Sequence, residues 1–279
     1  MVLNLDSHFK PIHGEEINFD SFLFNGGEPH IRIAEFNTSE EVIVTHRINS
    51  FNDLGLLCIA VDALQRMKVE KIHLFIPYFP GARQDRVMVK GESLSVKVYA
   101  DIINGLNIAS VTIFDPHSDV TPALLNNCTT IQNHPFIGEI LSDLSDELIL
   151  VTPDAGASKK VFKLASQFGI TNILECGKKR NVLTGELSGF TVPTDDLENK
   201  PCLVVDDICD GGGTFIGLAE ELKKKNAGDL YLAVSHGIFS KGFDQLSKIY
   251  TQIFTTDSIK EIDNASIKQI RLNQILKLK

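Results

Sequence analysis

Short runs of β-branched and aromatic residues alternate along the chain with segments in which apolar residues recur at helical spacing. This alternation limits the possible folds more than any other feature, because strand, helix and strand in succession build a parallel sheet with crossover helices. We therefore predict an α/β protein with mainly parallel, buried sheets. The predicted strands are 42–48, 72–78, 109–115, 147–153, 171–176, 202–207, 230–236 and 249–256.

The chain has 279 residues, enough for two domains of ordinary size, and both halves repeat the pattern of strand, turn and helix. The least regular stretch between the halves is 124–136, and we place the domain boundary there. The N-terminal domain is predicted over 1–136 and the C-terminal domain over 137–261. The tail 262–279 has the pattern of a strand and a short helix, which can pack back on the N-terminal domain.

The charge balance argues against some classes of partner. The chain has 36 acidic and 27 basic residues, a formal net charge of −9, and 43% of its residues are hydrophobic. Such a chain can bury a core, while its acidic balance disfavours binding to nucleic acid or to anionic membranes. It shows neither a signal-peptide pattern nor the ~20 apolar residues of a membrane span. We expect a soluble cytoplasmic protein with five reduced cysteines.

The most informative segment is CLVVDDICDGGGTFIGLAEEL (202–222), in which an apolar strand leads into acids, three glycines, a threonine and a helix. Glycines let backbone N–H groups converge on an anion, and a helix N-terminus adds its positive dipole end. Carboxylates at the end of a strand suit hydrogen bonds from sugar hydroxyls. The segment predicts a sugar-phosphate site made of Asp206, Asp207, Asp210, Gly211, Gly212, Gly213 and Thr214.

A glycine-rich turn with acidic helix caps is the alternative for GGGT taken alone. Two adjacent acids at the end of a buried strand favour a binding site, because like charges side by side cost stability unless a ligand or cation uses them. The segment contains neither GxxxxGK(S/T) nor GxGxxG, which argues against a P-loop kinase and a dinucleotide dehydrogenase.

Several segments together resemble a known family. VVDDICDGGGTF resembles the ribose 5-phosphate loop of the type I phosphoribosyltransferase fold, and the chain as a whole is similar to the ribose-phosphate diphosphokinases, or PRPP synthetases. The other similar segments are FNGGE (24–28), FNDLGLLCIAVDAL (51–64), FIPYFPGARQDR (75–86), DPHSD (115–119), TPDAGASKK (152–160) and TTDSI (255–259).

The resemblance implies two phosphoribosyltransferase-like domains, each a mainly parallel sheet flanked by helices, with the active site between them. It also implies a homo-oligomer, because in the family a neighbouring subunit completes the ATP pocket. The family's reaction transfers the β,γ-diphosphoryl group of ATP to the C1 hydroxyl of ribose 5-phosphate, requires Mg²⁺ and releases AMP. Such a transfer depends on charge neutralisation and positioning.

The resemblance also assigns residues to ATP. The guanidinium of Arg83 can donate two parallel hydrogen bonds to phosphate oxygens. The structural alternative for the sequence RQDR is a solvated charged turn. Phe24 is placed to stack on the adenine base. The implied ATP-binding residues are Phe24, Glu28, Arg83, Gln84 and Asp85.

Four further residues match the family's catalytic and metal positions. His117 corresponds to the histidine that binds Mg²⁺ with ATP, and Asp154 to a second metal-associated carboxylate. Lys178 and Arg180 correspond to the bases of a mobile catalytic flap that stabilise the transferring group. The structural alternatives are a non-ligand histidine, a helix N-cap at Asp154 and a solvated basic turn.

Two residues differ from the family pattern, one in the loop that binds the acceptor phosphate and one in the segment that contacts the adenine base. Gly211 stands where the family usually has a hydroxyl residue, and Gly26 stands where it usually has an acid. Because a third glycine removes bulk beside the 5-phosphate, we hypothesise that the loop accepts a substituted phosphate such as ADP-ribose. A phosphoribosyltransferase that consumes PRPP and a catalytically silent regulatory subunit are two further hypotheses for a chain with this fold.

Overall fold

The computed structural model describes residues 1–145, 147–180 and 187–276. The chain divides into two compact units, which we call the N-unit (Met1–Asn133 with Arg271–Lys279) and the C-unit (His134–Ile270). Both units contain a parallel sheet flanked by helices, so the predicted two-domain α/β fold is confirmed.

The N-unit is built around a five-stranded sheet. Its strands and those of a separate hairpin are, in chain order, β1 (Val2–Asn4), β2 (Phe19–Leu23), β3 (Pro29–Ile33), β4 (Val42–Thr45), β5 (Ile72–Ile76), β6 (Ser110–Phe114) and β7 (Cys128–Ile131). The sheet has the order β1-β4-β5-β6-β7, and every neighbouring pair is parallel. Strands β2 and β3 form the antiparallel hairpin.

The N-unit contains the helices α1 (Phe51–Arg66), α2 (Ser95–Gly105) and α3 (Val120–Leu124), of which α1 and α2 are the predicted crossover helices and α3 was not predicted. Helix α1 begins at Ser50, whose side chain accepts a hydrogen bond from the Asp53 amide. The helices bury apolar residues in the same core as the sheet. That core includes Val44, Leu57, Val61, Leu74, Val96, Ile103 and Ile113.

The C-unit contains a six-stranded sheet and a second hairpin. Its strands are β8 (Ile149–Thr152), β9 (Ile173–Glu175), β10 (Gly177–Arg180), β11 (Leu187–Thr191), β12 (Cys202–Cys209), β13 (Leu230–Gly237), β14 (Gln252–Thr256) and β15 (Ile267–Ile270). The sheet has the order β15-β14-β13-β12-β8-β9 with parallel pairs throughout, while β10 and β11 pair antiparallel.

The helices of the C-unit are α4 (His134–Leu141), α5 (Ala155–Phe168), α6 (Gly213–Lys224) and α7 (Asp244–Ser247), and the terminal helix α8 (Leu272–Ile275) belongs to the N-unit. Helix α5 begins at Asp154 and ends at Gly169, which adopts the left-handed conformation that glycine tolerates best. The tail contains the predicted strand and short helix. Its strand joins the C-unit sheet and its helix joins the N-unit.

The stretch 124–136 is more ordered than its sequence indicates. It contains strand β7, which pairs with β6, and the beginning of helix α4. Strand β7 lies at the edge of its sheet and is only partly buried, so it lacks the apolar run that marks a central strand. Among the described residues, no helix combines the length and apolar character needed to cross a bilayer.

Candidate active site

Three carboxylates converge at one edge of the C-unit sheet. Strands β8 and β12 are parallel neighbours, and their pairing ends at Val151 and Val204, so the residues beyond these positions lie at the same edge. Asp154 follows β8, while Asp206 and Asp207 continue β12 past the end of the pairing. In open parallel sheets this edge is where ligands bind.

Asp154 has two roles in the structure. Its Oδ1 accepts hydrogen bonds from the Gly156 and Ala157 amides at 2.9 and 3.1 Å, and so caps helix α5. Its Oδ2 forms an ion pair with Nζ of Lys178. Partial burial acts to raise the pKa of Asp154, yet the hydrogen bond and charge of Lys178, together with the two amides, hold that pKa below its ordinary value.

Two adjacent acids of β12 lie at this edge, of which Asp207 is buried and Asp206 is half-buried. Burial, followed by the charge of Asp207, raises the pKa of Asp206 well above its usual range, and Asp154 acts in the same direction. The amide of Asp207 donates a 2.9 Å hydrogen bond to Oδ1 of Asp206. Nζ of Lys160, on helix α5, lies 3.8 Å from Oδ2 of Asp207. The C-unit therefore presents three carboxylates and two lysines in one cluster.

The glycine turn between β12 and α6 leaves room for an anion. Gly212 has a φ of +77°, and a Cβ there would lie 3.2 Å from Leu246, so the backbone requires glycine at this position. A Cβ on Gly213 would meet no atom within 4 Å. Gly213 and Thr214 form the first turn of α6, where backbone N–H groups lack partners within the helix. The predicted phosphate turn thus has open space at its helix end.

The side of the turn at Gly211 is covered by another segment. Oγ of Ser240 donates a 2.6 Å hydrogen bond to Oδ1 of Asp210. The Cδ and Cε atoms of Lys241 lie 3.4 and 3.5 Å from the point where a Cβ on Gly211 would stand. The stem of an exposed lysine therefore lies beside the third glycine, and ADP-ribose as the acceptor stays a hypothesis.

The structure describes the beginning of the predicted catalytic flap. Strand β10 carries Lys178 and pairs with β11, so Lys178 lies in a strand rather than in the predicted loop. The side chain of Arg180, and residues 181–186 of the predicted flap, lie outside what the structure describes. A cavity of about 620 Å³ adjoins the base of this hairpin, and its lining includes Asp154, Lys178, Glu175 and Thr191.

In the N-unit, two predicted segments follow neighbouring strands. The sequence ARQD follows β5 and DPHSD follows β6, so both lie at the same sheet edge. Arg83 and Gln84 are exposed, whereas Asp85 is buried. Hydrogen bonds from Arg86 and Ser118 outweigh burial and, with the nearby exposed His117, lower the pKa of Asp85. Asp85 therefore links the two segments that carry the exposed Arg83 and His117.

Phe24 and Glu28 lie at the tip of the β2–β3 hairpin, outside the main sheet. Phe24 is 51% exposed and packs edge-on against Phe22 and His30. A Cβ on Gly26 would lie 2.5 Å from Oε2 of Glu28. An acid at position 26 would have to displace the Glu28 carboxylate, so Gly26 and the position of Glu28 depend on each other.

Two lysines near the site were missed by sequence reasoning. Lys160 belongs to the segment TPDAGASKK, but the sequence does not show that helix α5 brings it to Asp207. Lys241 lies outside every motif, and only the tertiary contact with Gly211 indicates a role.

Comparison with known proteins agrees with this architecture. Residues 12–106 match the N-terminal domain of ribose phosphate pyrophosphokinase, and residues 129–274 match the phosphoribosyl transferase domain. The ribose-phosphate pyrophosphokinase of Pyrococcus furiosus is 30% identical over 240 residues, which are 85% of this chain and 84% of that protein. The chain belongs to the ribose-phosphate pyrophosphokinase family. The predicted family is thus confirmed.

Other members of the family match over comparable lengths. The enzyme of Pyrococcus abyssi is 29% identical, with 91% of this chain and 89% of that protein covered. The crystal structure of phosphoribosylpyrophosphate synthetase from Mycobacterium smegmatis superposes with a TM-score of 0.85 at 20% identity, and covers 98% of this chain and 95% of that one. This superposition shows that the fold is shared.

Proposed function

We propose that the protein transfers the diphosphoryl group of ATP to the C1 hydroxyl of ribose 5-phosphate, giving PRPP and AMP. The observation that carries the proposal is the edge of the C-unit sheet, where an open glycine turn lies beside paired acids and the Asp154–Lys178 ion pair. An anion site, hydroxyl acceptors and a cation are the groups that this reaction needs from its protein.

The acceptor is proposed to bind at the glycine turn. Its phosphate would accept hydrogen bonds from the amides at the start of α6, where Gly213 leaves the approach open. Asp206 and Asp207 would accept hydrogen bonds from the ribose hydroxyls. Because Asp207 is buried and Asp206 is half-buried, a sugar hydroxyl that donates to them lowers the cost of their proximity.

Lys178 is proposed to stabilise the charge that builds up on the transferring group. Its ammonium forms an ion pair with Asp154, which places it at the sheet edge where the acceptor is proposed to bind. Arg180 follows two positions later in the same strand and is proposed to share this role. Such cations lower the reaction barrier because they stabilise negative charge that is larger in the transition state than in the substrate.

ATP is proposed to bind through the N-unit. Arg83 and Gln84 are exposed at the sheet edge that also carries His117, and Asp85 holds the two segments together. A guanidinium in this position can bind two phosphate oxygens at once. Phe24 has an exposed ring suited to stacking on adenine. The carboxylate of Glu28 can accept a hydrogen bond from the amino group of adenine.

Mg²⁺ is proposed as the cofactor, and the donor set is compatible with it. No group of three or more His, Cys, Asp or Glu side chains able to hold a metal occurs within the described residues. Mg²⁺ commonly binds through one or two protein groups, substrate phosphates and water. His117 and Asp154 are the proposed protein ligands, although Oδ2 of Asp154 must leave Lys178 to take part. The ion would neutralise phosphate charge.

We also propose that the protein is a homo-oligomer, as the family resemblance implies. The exposed Phe22, Leu23 and Phe24 at the tip of the β2–β3 hairpin form an apolar surface that such an assembly would cover. Light scattering on the purified protein measures the mass directly, and a monomer at micromolar concentration contradicts this part of the proposal.

The activity is tested with the purified chain, ATP, Mg²⁺ and a panel of acceptors that contains ribose 5-phosphate, ADP-ribose and ribose. We expect release of AMP together with PRPP, detected by ³¹P NMR, with ribose 5-phosphate. Equal release with ribose contradicts the phosphate site, and a strong preference for ADP-ribose favours the alternative acceptor. Consumption of PRPP in the presence of purine bases, without ATP-dependent synthesis, favours a phosphoribosyltransferase.

Gly213 offers a variant that blocks the phosphate turn without breaking the fold. Its backbone is not left-handed, and no atom lies within 4 Å of the position that a Cβ would take, so Gly213→Val adds bulk only to open space. We expect this variant to lose acceptor binding while it retains ATP binding. The control is Gly105→Val, at the end of helix α2 in the N-unit, where a Cβ also meets no neighbour.

A further inference from the structure

Lys241 is positioned against the phosphate turn by its aliphatic stem. Three of its carbons, Cγ, Cδ and Cε, lie 3.7, 3.4 and 3.5 Å from the point where a Cβ on Gly211 would stand. The ammonium is one covalent bond beyond Cε and therefore lies beside the same turn. The stem thus lies within van der Waals distance of the position where Gly211 lacks a side chain.

The segment that carries Lys241 is fastened to the turn by its neighbour. The amide of Ser240 donates to the Asp210 carbonyl at 3.1 Å, and its hydroxyl donates to Oδ1 of Asp210 at 2.6 Å. These two bonds fix the backbone immediately before Lys241. A lysine whose preceding residue is fixed in this way loses less conformational freedom when it binds a ligand than one on a loop without such bonds.

The ammonium of Lys241 is available for a ligand. It forms no hydrogen bond or ion pair with any of the residues that the structure describes. By contrast, Nζ of Lys224, at the C-terminal end of helix α6, forms a 2.7 Å ion pair with Oε1 of Glu221. An ammonium that forms no ion pair with the described residues and lies beside a glycine turn at a helix N-terminus is suited to bind a phosphate.

We propose that Lys241 binds the phosphate group of the acceptor at the glycine turn and supplies the donor that is missing at Gly211. The family pattern has a hydroxyl at position 211, and here a lysine from the loop after β13 replaces it. An ammonium brings a full charge where a hydroxyl brings only a dipole. The inference rests on the proposed function, since it concerns the phosphate of that same acceptor.

The test compares Lys241→Ala, Lys241→Arg and the control Lys223→Ala. Lys223 carries the same charge in the last turn of α6, about 15 Å along the helix from Gly213. We expect Lys241→Ala to raise the KM for ribose 5-phosphate about tenfold with kcat and the KM for ATP nearly unchanged, as for loss of one charged hydrogen bond. Lys241→Arg and Lys223→Ala should stay close to the parent protein.

A rescue variant sharpens the test. Gly211 is not in the left-handed region, so Gly211→Thr is tolerated, and combined with Lys241→Ala it restores a hydroxyl donor. We expect the double variant to recover most of the lost acceptor affinity. An unchanged KM for ribose 5-phosphate in Lys241→Ala, or a Lys223→Ala loss as large as that of Lys241→Ala, overturns the inference.

Direct binding separates this inference from the proposed function. Calorimetric titration with ribose 5-phosphate and with ADP-ribose measures Kd without turnover. If the parent protein binds either acceptor but releases no AMP, the proposed function fails, and the loss of affinity in Lys241→Ala still supports the role of Lys241. If the parent protein makes PRPP and Lys241→Ala binds the acceptor as tightly, the inference alone fails.

Discussion

Lys178 forms an ion pair with Oδ2 of Asp154, while Oδ1 of the same carboxylate caps helix α5. One side chain thus connects strand β10 to the start of a helix at the sheet edge. The pair is partly buried, with 18% of the lysine and 28% of the aspartate side chain exposed. The same carboxylate is proposed for Mg²⁺, so binding of the ion would release Lys178 to interact with phosphate.

Substitution of Lys178 tests its proposed catalytic role. We expect Lys178→Ala to lower kcat about a hundredfold or more, as for removal of one preorganised donor to a developing charge, with a smaller change in KM. Lys179→Ala, at the next position of the strand, is the matched control, and Arg180→Ala should resemble Lys178→Ala. Steady-state kinetics decides this, and near-normal turnover in Lys178→Ala contradicts the assignment.

Two substitutions of Asp154 separate its structural and chemical roles. Asp154→Ala removes the helix cap and should lower the free energy of unfolding by about 1 kcal/mol, whereas Asp154→Asn retains a good cap and should lower it less. Both variants lack the carboxylate, so both should lose Mg²⁺-dependent turnover to a similar extent. Urea unfolding and kinetics measure the two effects, and equal loss of stability in both variants would argue against the capping role.

His117 is expected to affect the response to Mg²⁺. It is exposed at the N-unit sheet edge, where it lies near Asp85. We expect His117→Ala to shift the Mg²⁺ activation curve at fixed ATP to several-fold higher concentration while Tm changes little. His13→Ala, at an exposed histidine of the same unit, is the control. A titration curve that coincides with that of the parent protein would exclude His117 as a ligand.

The raised pKa of Asp206 predicts a pH-dependent effect on stability. In the folded protein this carboxyl keeps its proton to a higher pH than in the unfolded chain, where its pKa is about 4. Stability is therefore lost as pH rises from the unfolded value towards the folded one. We expect Asp206→Asn to raise Tm by a few degrees at pH 8 and by less at pH 5.

Thermal unfolding of the protein without ligands measures this effect. Asp195→Asn replaces a fully exposed aspartate of the same unit and serves as the control. A gain in Tm that is the same at both pH values would show that the charge of Asp206 does not cause it.

The α/β architecture and the glycine turn could be predicted from the sequence because both depend on local patterns. The strand that contains Asp206 and Asp207 is apolar up to those residues, and Gly212 stands where the backbone turns left-handed. Periodicity predicts strands that are buried on both faces. It does not predict the edge strand β7 or the strands of the β2–β3 hairpin, because these strands are only partly buried and lack a continuous apolar run.

The partners of charged side chains were not predictable in the same way. The sequence makes Asp154 a candidate metal ligand with an N-cap as the alternative, and the structure shows the cap together with an ion pair to Lys178, 24 residues away in sequence. The resemblance assigns Asp85 to ATP, and the structure places it in the interior between Arg86 and Ser118. The proposed substrate and metal roles of these residues stay predictions.

The order of strands and helices, the family and the position of the phosphate turn all follow from the amino-acid sequence, because each depends on residues that are close along the chain. The approach of Lys160 to Asp207, and the cover that the stem of Lys241 gives to Gly211, became known only from the folded chain. Such contacts depend on how strands and helices pack, and they cannot be predicted from the number of residues between two positions. Packing therefore decides which charged side chains surround the proposed phosphate site.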